Sequence, residues 1–142
     1  VLLICAILDT DTICRYIKIC DQLGLSALVE VHDEEEMKSA IEAGARVIGV
    51  NNRNLKDFTV DIGNSLRLRS QAPEEILFVA ESGIKTAEDI RKLKEAKVNG
   101  VLIGETLMRS PDKKACLKEL DAIKKKKQIM GYEHAERGNA EM

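Results

Sequence analysis

The sequence has 142 residues, of which 44% are hydrophobic and 32% charged, and its formal net charge is -2. This balance is typical of a single globular domain, and the nearly neutral charge is unlike the basic surface of a nucleic-acid-binding protein. Aromatic residues make up only 3%, and no apolar run approaches the roughly 20 residues of a membrane span. We therefore expect a cytoplasmic protein that binds neither nucleic acid nor membranes.

The cysteine and histidine residues do not form the spaced pairs that hold a structural zinc ion. The sequence has no CxxC pair, and its two histidines, His32 and His134, are far apart. We therefore predict no metal site and interpret the thiols as reduced groups that pack like small hydrophobic side chains. The cysteines are Cys5, Cys14, Cys20 and Cys116.

Five short apolar runs predict the strands. Each is too short for a typical helix and is rich in Val, Ile and Leu without a strict alternation of polar and apolar residues. This pattern is typical of strands in a parallel sheet that are buried on both faces. The runs cover residues 1–8, 27–31, 47–50, 76–80 and 100–104.

The segments between these runs have helical periodicity. An apolar stripe that starts at Ile13 and stops before Gly24 predicts the first helix. The second helix is predicted to begin after Asp33, an N-cap whose N3 partner is Glu36, and to end at Gly44.

Two further helices are predicted nearer the C-terminus. Thr86 and Asp89 form a weaker capping box before one of them, and Ser110 and Pro111 open the other with Pro at its first position. Strands that alternate with helices predict βα units and a parallel sheet joined by right-handed crossovers.

The ends of the predicted strands distinguish a barrel from a doubly wound sheet. A barrel builds its catalytic face from polar groups at the carboxyl ends of successive strands, whereas a doubly wound sheet concentrates them at one switch point. Four consecutive runs end in polar or glycine-bearing residues, and the sequence has no GxGxxG or Walker motif. We therefore predict an α/β fold, a partial TIM (β/α)₈ barrel of five βα units with parallel strands. The residues at these ends are Glu30, Asn51, Glu81, Ser82, Gly83, Gly104 and Glu105.

The two ends of the sequence carry separate expectations. The chain opens inside the apolar run VLLI without a polar lead-in, so we expect further sequence upstream of residue 1. Residues 1–130 are predicted to form the barrel part, and residues 131–142 a polar, disordered tail. The lysine run at residues 124–127 is interpreted as a solvated final helical turn.

The glycines after the last two strands predict a phosphate site. Barrels that bind phosphorylated substrates often hold the phosphate in the loops after their seventh and eighth strands, where backbone N–H groups approach the ligand closely. Gly83 and Gly104 occupy these positions. The alternative is that both glycines only relieve tight turns between strand and helix.

Two glutamates at strand ends are candidates for general acid and base. A carboxyl group at the mouth of an apolar strand is partly desolvated, which raises its pKa towards the useful range. Glu30 and Glu81 have this position, although either residue would also suit a structural role as partner of a lysine or of loop backbone.

Other polar residues near the strand ends receive weaker interpretations. Asn51 is suited to orient a substrate hydroxyl or carboxylate, because its amide both donates and accepts hydrogen bonds. Asn52 and Arg53 are interpreted as caps of the following loop. His32 directly precedes the Asp33 cap and is expected to point into solvent.

Four strings of residues carry a resemblance to a known family. LVEVHDEEEM, GVNNRNL, VAESGI and VLIGETLM, in this order and spacing, are similar to the consecutive strand-end motifs of indole-3-glycerol-phosphate synthases. The likeness runs from Val1 to about Leu120, and in that family the corresponding strands are the fourth to the eighth.

The resemblance implies roles for the strand-end residues. Glu30 matches the catalytic acid/base glutamate of the family, Asn51 the asparagine that positions substrate and intermediate, and Glu81 a glutamate that faces the reacting centre. Ser82, Gly83, Gly104 and the backbone at Glu105 match the phosphate-binding end, where family members often carry Ser at the position of Glu105.

The reaction implied by the resemblance is carried out by a carboxy-lyase of tryptophan biosynthesis without metal or cofactor. It closes the ring of 1-(2-carboxyphenylamino)-1-deoxyribulose 5-phosphate onto the carbonyl carbon, with loss of carbon dioxide and water. The essential lysines of the family lie on strands before the fourth, and the lysines present here, such as Lys56 and Lys85, do not match them. We therefore expect that the chain is a fragment, inactive alone, whose partner is the set of N-terminal barrel strands.

Two other interpretations remain open. One is another phosphate-binding barrel enzyme, such as a phosphoribosylanthranilate isomerase or a sugar-phosphate epimerase, which shares the glycine-bearing strand ends. The other is a non-catalytic partial barrel that self-associates through its open strand edges.

Overall fold

The computed structural model describes residues 1–121, which form one parallel sheet with helices on one side. The strands pair in the order β1-β2-β3-β4-β5, so each βα unit adds a strand to the same edge of the sheet. This sequential order is that of a barrel, and the α/β partial-barrel prediction is confirmed. The strands are β1 (Leu2–Ile4), β2 (Leu28–Val31), β3 (Val47–Asn51), β4 (Leu77–Glu81) and β5 (Gly100–Leu102).

The helices begin where the sequence places side-chain caps. Asp33 accepts a hydrogen bond from the backbone N–H of Glu36, and Thr86 forms a reciprocal capping box with Asp89, as predicted. The helices are α1 (Thr10–Gln22), α2 (Glu34–Glu42), α3 (Gly63–Arg69), α4 (Ala87–Glu95) and α5 (Glu105–Arg109), and another helix occupies 113–121.

Several predicted boundaries are wrong. The first strand stops at Ile4, because residues 5–7 turn and leave Ile7 78% exposed. The last strand stops at Leu102, two residues before the predicted end. The helix predicted to open at Ser110 begins instead at residue 113, where Asp112 accepts a hydrogen bond from the backbone N–H of Ala115.

The sequence analysis did not predict α3. This helix has only seven residues, with an Ile62 N-cap that makes no side-chain hydrogen bond. Its position is fixed by tertiary contacts: the side chain of Asn52, at the end of β3, accepts hydrogen bonds from the backbone N–H and the hydroxyl of Ser65. Tertiary structure therefore overrides a weak local signal.

The two faces of the sheet differ in burial. In β1 to β4, alternate strand residues pack against the helices and are fully or almost fully buried. The opposite, inner face is partly open: Leu2, Leu77 and Leu102 are 49%, 52% and 55% exposed. The prediction that the strands are buried on both faces is therefore wrong for the inner face of the described residues. The buried set comprises Leu3, Val29, Val31, Ile48, Val50, Phe78 and Ala80.

Among residues 1–121, no helix has the length and apolar character needed to cross a membrane. The predicted domain boundary near residue 130, the lysine run and the polar tail all lie outside the described residues.

Candidate active site

A cavity of about 910 Å³ lies at the carboxyl ends of the strands. All seven of the strand-end residues singled out from the sequence line it, because parallel strands bring their carboxyl ends to one edge of the sheet. They are Glu30, Asn51, Glu81, Ser82, Gly83, Gly104 and Glu105.

Glu30 and Glu81 form a buried carboxyl pair at the base of this cavity. They are only 8% and 4% exposed. Burial, together with hydrogen bonding to Glu30 and the charge of Glu30, raises the pKa of Glu81 to about 8. At neutral pH Glu81 is therefore mainly protonated.

Gly49 makes room for this pair. It lies beside Glu30 in the register of β2 and β3, and a Cβ atom at this position would collide with Oε1 of Glu81. That same oxygen is buried without a hydrogen-bond partner among the described residues. A polar atom that is buried and unpaired is costly, and such atoms are typical of sites that act on a ligand.

His32 does not point into solvent, contrary to the expectation from the sequence. Its side chain is 15% exposed, with Nδ1 at 3.1 Å from Oε2 of Glu36 and Nε2 at 3.9 Å from Oε2 of Glu30. The sequence contains one signal for this position: only Val31 separates Glu30 from His32, and side chains two positions apart in extended backbone lie on the same side.

The two asparagines after β3 have different environments. Asn51 lines the cavity, and its Oδ1 accepts a hydrogen bond of 3.0 Å from the backbone N–H of Arg53. Asn52 is 4% exposed and binds Ser65, so it anchors the loop to α3, in line with its interpretation as a loop cap. The side chain of Asn51 thus holds the start of the loop while it faces the cavity.

The two glycines proposed for the phosphate end are not equivalent. Gly83 has a φ of 76°, and a Cβ atom there would collide with Val60, so the fold itself requires glycine. Ser82 beside it also has a positive φ, 66°. A Cβ atom at Gly104 would meet no atom of the described residues within 4 Å, so the space beside this glycine is open.

Basic residues that the sequence analysis did not select surround the same end of the cavity. Arg53 pairs with Glu105 at 2.7 Å and Arg109 pairs with it at 3.0 Å, and these arginines hold the pKa of Glu105 below its usual value. Lys85 also lines the cavity. In the sequence, the only indication that these basic residues belong to the site is that they lie near the glycine-bearing strand ends.

The sequence profile of the family described as "Indole-3-glycerol phosphate synthase" matches residues 1–120. The chain belongs to the indole-3-glycerol phosphate synthase family. An indole-3-glycerol phosphate synthase of Ruminiclostridium cellulolyticum is 66% identical over 120 residues, which are 84% of this chain and 46% of that protein. One of Lachnoclostridium phytofermentans is 57% identical over 87% of this chain and 45% of that protein. The chain thus spans about half the length of these curated relatives.

Similarity to solved structures supports the fold alone. A thiamine phosphate pyrophosphorylase from Pyrococcus furiosus superposes with a TM-score of 0.63 and 22% identity, over 78% of this chain and 53% of that one. The YdjI aldolase from Escherichia coli K12 gives a TM-score of 0.55 and 15% identity, over 76% and 44% of the two chains.

Proposed function

We propose that the chain supplies the second half of an indole-3-glycerol-phosphate synthase active site. The reaction is the carboxy-lyase step in which the ring of 1-(2-carboxyphenylamino)-1-deoxyribulose 5-phosphate closes, carbon dioxide leaves and water is lost. The observation that supports the proposal most strongly is the buried pair of Glu30 and Glu81 in a cavity whose other end carries Gly83 and Gly104.

The carboxyl pair is suited to the proton transfers of this reaction. Ring closure onto a carbonyl carbon needs an acid for the carbonyl oxygen, and the later steps need a base that removes a proton from the new ring. Glu81, with a pKa raised to about 8, retains a proton at neutral pH. Under this proposal Glu30 accepts the proton and Glu81 faces the reacting centre as a hydrogen-bond donor.

The other end of the cavity is suited to the phosphate of the substrate. Gly104 is the N-cap of α5 and has no side chain to accept hydrogen bonds from the first backbone N–H groups of the helix, which are left available to a ligand. A Cβ atom at Gly104 would meet no atom of the described residues within 4 Å. Arg53, Lys85 and Arg109 add positive charge around the same space. The substrate would therefore lie with its phosphate near β5 and its reacting carbons over Glu30 and Glu81.

The site that these residues form is open on its inner side. Leu2, Leu77 and Leu102 are about half exposed on the inner face, and Oε1 of Glu81 has no partner within residues 1–121. The resemblance assigns β1 to β5 to the fourth to eighth strands of the family, whose essential lysines lie on earlier strands. We propose that catalysis requires those strands, in the same polypeptide or in another one.

A complementation assay tests this function. The formation of indole-glycerol phosphate is followed by fluorescence for the chain alone and for the chain mixed with the N-terminal part of the Ruminiclostridium cellulolyticum relative. Because the chain contains no Trp, its own background is low. We expect activity only in the mixture.

Each result of this assay has a definite meaning. Activity of the chain alone would contradict the requirement for the earlier strands. If the two parts associate but form no indole-glycerol phosphate, the proposed function is wrong. A molecular size of the chain alone that increases with concentration would then favour the self-associating partial barrel.

A further inference from the structure

The ring of His32 lies between two carboxylates that belong to different elements. Oε2 of Glu36, on α2, accepts a hydrogen bond of 2.7 Å from the backbone N–H of His32 and lies 3.1 Å from Nδ1 of the ring. On the other ring nitrogen, Nε2 lies 3.9 Å from Oε2 of Glu30, just beyond hydrogen-bonding distance and within the range of an ion pair. The ring is thus fixed by Glu36 and aimed at Glu30.

The contact with Glu36 determines which ring nitrogen of His32 carries the proton in the neutral form. An ionised carboxylate only accepts hydrogen bonds, so Nδ1 carries a proton in the neutral ring as well as in the imidazolium. Nε2 is buried and has no hydrogen-bond partner within residues 1–121. Glu30, with Oε2 at 3.9 Å, is the carboxyl group that Nε2 faces.

We propose that His32 is a positioning residue for Glu30: held by Glu36 through Nδ1, its ring presents Nε2 to the carboxyl group of Glu30 and keeps that group oriented in the cavity. Glu36 and Glu30 flank the ring on its two nitrogens in a partly buried place, so the ring can be held on one side while it faces Glu30 on the other. The catalytic consequence rests on the proposed function, whereas the contact itself does not.

Other titratable groups also lie near the ring. Cys5, which follows β1, remains a neutral thiol, because burial and the charges of Glu36, Asp33 and Glu30 raise its pKa to about 12. The cavity beside the ring, of about 490 Å³, also contains groups of both signs from the loop after β3. These are Arg53, Lys56 and Asp61, with the neutral side chains of Asn51 and Asn64.

Nuclear magnetic resonance of the imidazole nitrogens tests the contact without any assay of activity. The chain has two histidines, so a His134→Gln background leaves the ring of His32 as the only signal. At alkaline pH we expect the neutral ring to carry its proton on Nδ1. Glu30→Gln should move the Nε2 resonance, while Glu35→Gln, which removes the same charge from an exposed position of α2, should not. A proton on Nε2, or an Nε2 resonance indifferent to Glu30→Gln, would overturn the proposal.

Kinetics of the complemented enzyme test the consequence for catalysis. In His32→Asn, the amide nitrogen replaces Nδ1 and nothing replaces Nε2. We expect the acid limb of the pH profile of kcat to move up by about 1 unit, so that kcat falls up to about tenfold on the acid side of that limb and little at the plateau, with KM within about twofold. His32→Gln, whose amide lies nearer the position of Nε2, should recover part of the loss.

The possible failures can be told apart. An equal loss of kcat at every pH in both variants would reduce His32 to a structural residue and refute the proposal. Silence of the unsubstituted complemented enzyme would refute the proposed function, and the resonance experiment would still decide whether His32 holds Glu30.

Discussion

The two faces of the sheet differ in which kinds of side chain they bury. On the helix-facing side, Val29, Ile48 and Phe78 are completely buried, as in any parallel sheet covered by helices. On the inner side, Leu77 is 52% exposed although Glu81, on the same strand and face, is only 4% exposed. The inner face therefore exposes apolar side chains and buries ionisable ones.

The helix-facing side and the inner side of the sheet contribute to different properties of the protein. The helix-facing layer gains free energy from the burial of apolar surface. The inner layer keeps a carboxyl pair in a poorly solvated place, which costs stability and shifts a pKa. Substitutions on the helix-facing side should therefore lower the free energy of unfolding. Substitutions on the inner side should change the pH dependence of stability and the catalytic rate.

The largest effect on stability is expected at Phe78, and the adjacent Leu77, on the opposite face of the sheet, serves as its comparison. Phe78→Ala should lower the free energy of unfolding by about 3–5 kcal/mol, because it leaves a cavity beneath the helices and removes the stacking of Arg69 on the ring. Leu77→Ala, one residue away on the inner face, should cost less than about 1 kcal/mol. Urea unfolding of both variants measures the difference, and similar losses would contradict the assignment of the faces.

The carboxyl pair should make stability fall as pH rises. The pKa of Glu81 is about 8 in the folded chain against the ordinary value of 4.5, so between these values the folded chain holds a proton that the unfolded chain releases. The stability is fully present below about pH 4.5 and is lost as pH rises towards 8.

Glu81→Gln should remove this dependence. We expect the variant to gain about 2 kcal/mol over the parent at pH 8.5 and little at pH 4.5, after allowance for solvent at the cavity mouth. Thermal or urea unfolding at the two pH values measures the gain, with Glu35→Gln as the control for loss of an exposed charge. A gain of the same size at both pH values would show that Glu81 is not protonated in the fold.

A smaller effect distinguishes the two glycines of the phosphate end. Gly83→Ala should cost about 1–2 kcal/mol for the left-handed backbone, in addition to the collision with Val60. Gly104→Ala should leave the unfolding free energy nearly unchanged, because its Cβ would enter open space. Binding of inorganic phosphate, measured by calorimetry on the complemented enzyme, should nevertheless weaken in Gly104→Ala. If Gly104→Ala binds phosphate as tightly as the parent, the proposed position of the phosphate near β5 would be wrong.

The elements with strong periodic patterns and side-chain caps could be predicted from the sequence. The five strands, the Asp33 cap and the strand-end residues Glu30, Asn51 and Glu81 are examples, because parallel strands bring their ends together wherever the alternation of βα units is regular. The boundaries of β1 and β5 could not be predicted, since hydrophobic residues continue past both strand ends.

Features set by tertiary contacts could not be predicted. The α3 helix depends on a contact between Asn52 and Ser65, which are far apart in the sequence. The orientation of His32 depends on Glu36 together with Glu30, and the sequence spacing indicates only that Glu30 and His32 lie on the same side. The difference between Gly83 and Gly104 likewise depends on where the side chain of Val60 lies. The sequence analysis therefore identified the candidate groups of the site but not their partners.

The most direct test of the central claim is the activity of Glu30→Gln in the complemented enzyme, beside Glu35→Gln and the parent. Glutamine keeps the size of the side chain but cannot accept a proton, so we predict a loss of 10²–10⁴-fold in kcat, on the order expected for a general base. The Glu35→Gln control should remain fully active, and the unfolding free energy of neither variant should fall. Activity of Glu30→Gln within a few-fold of the parent would contradict the assignment of Glu30 as the base and of this cavity as the active site.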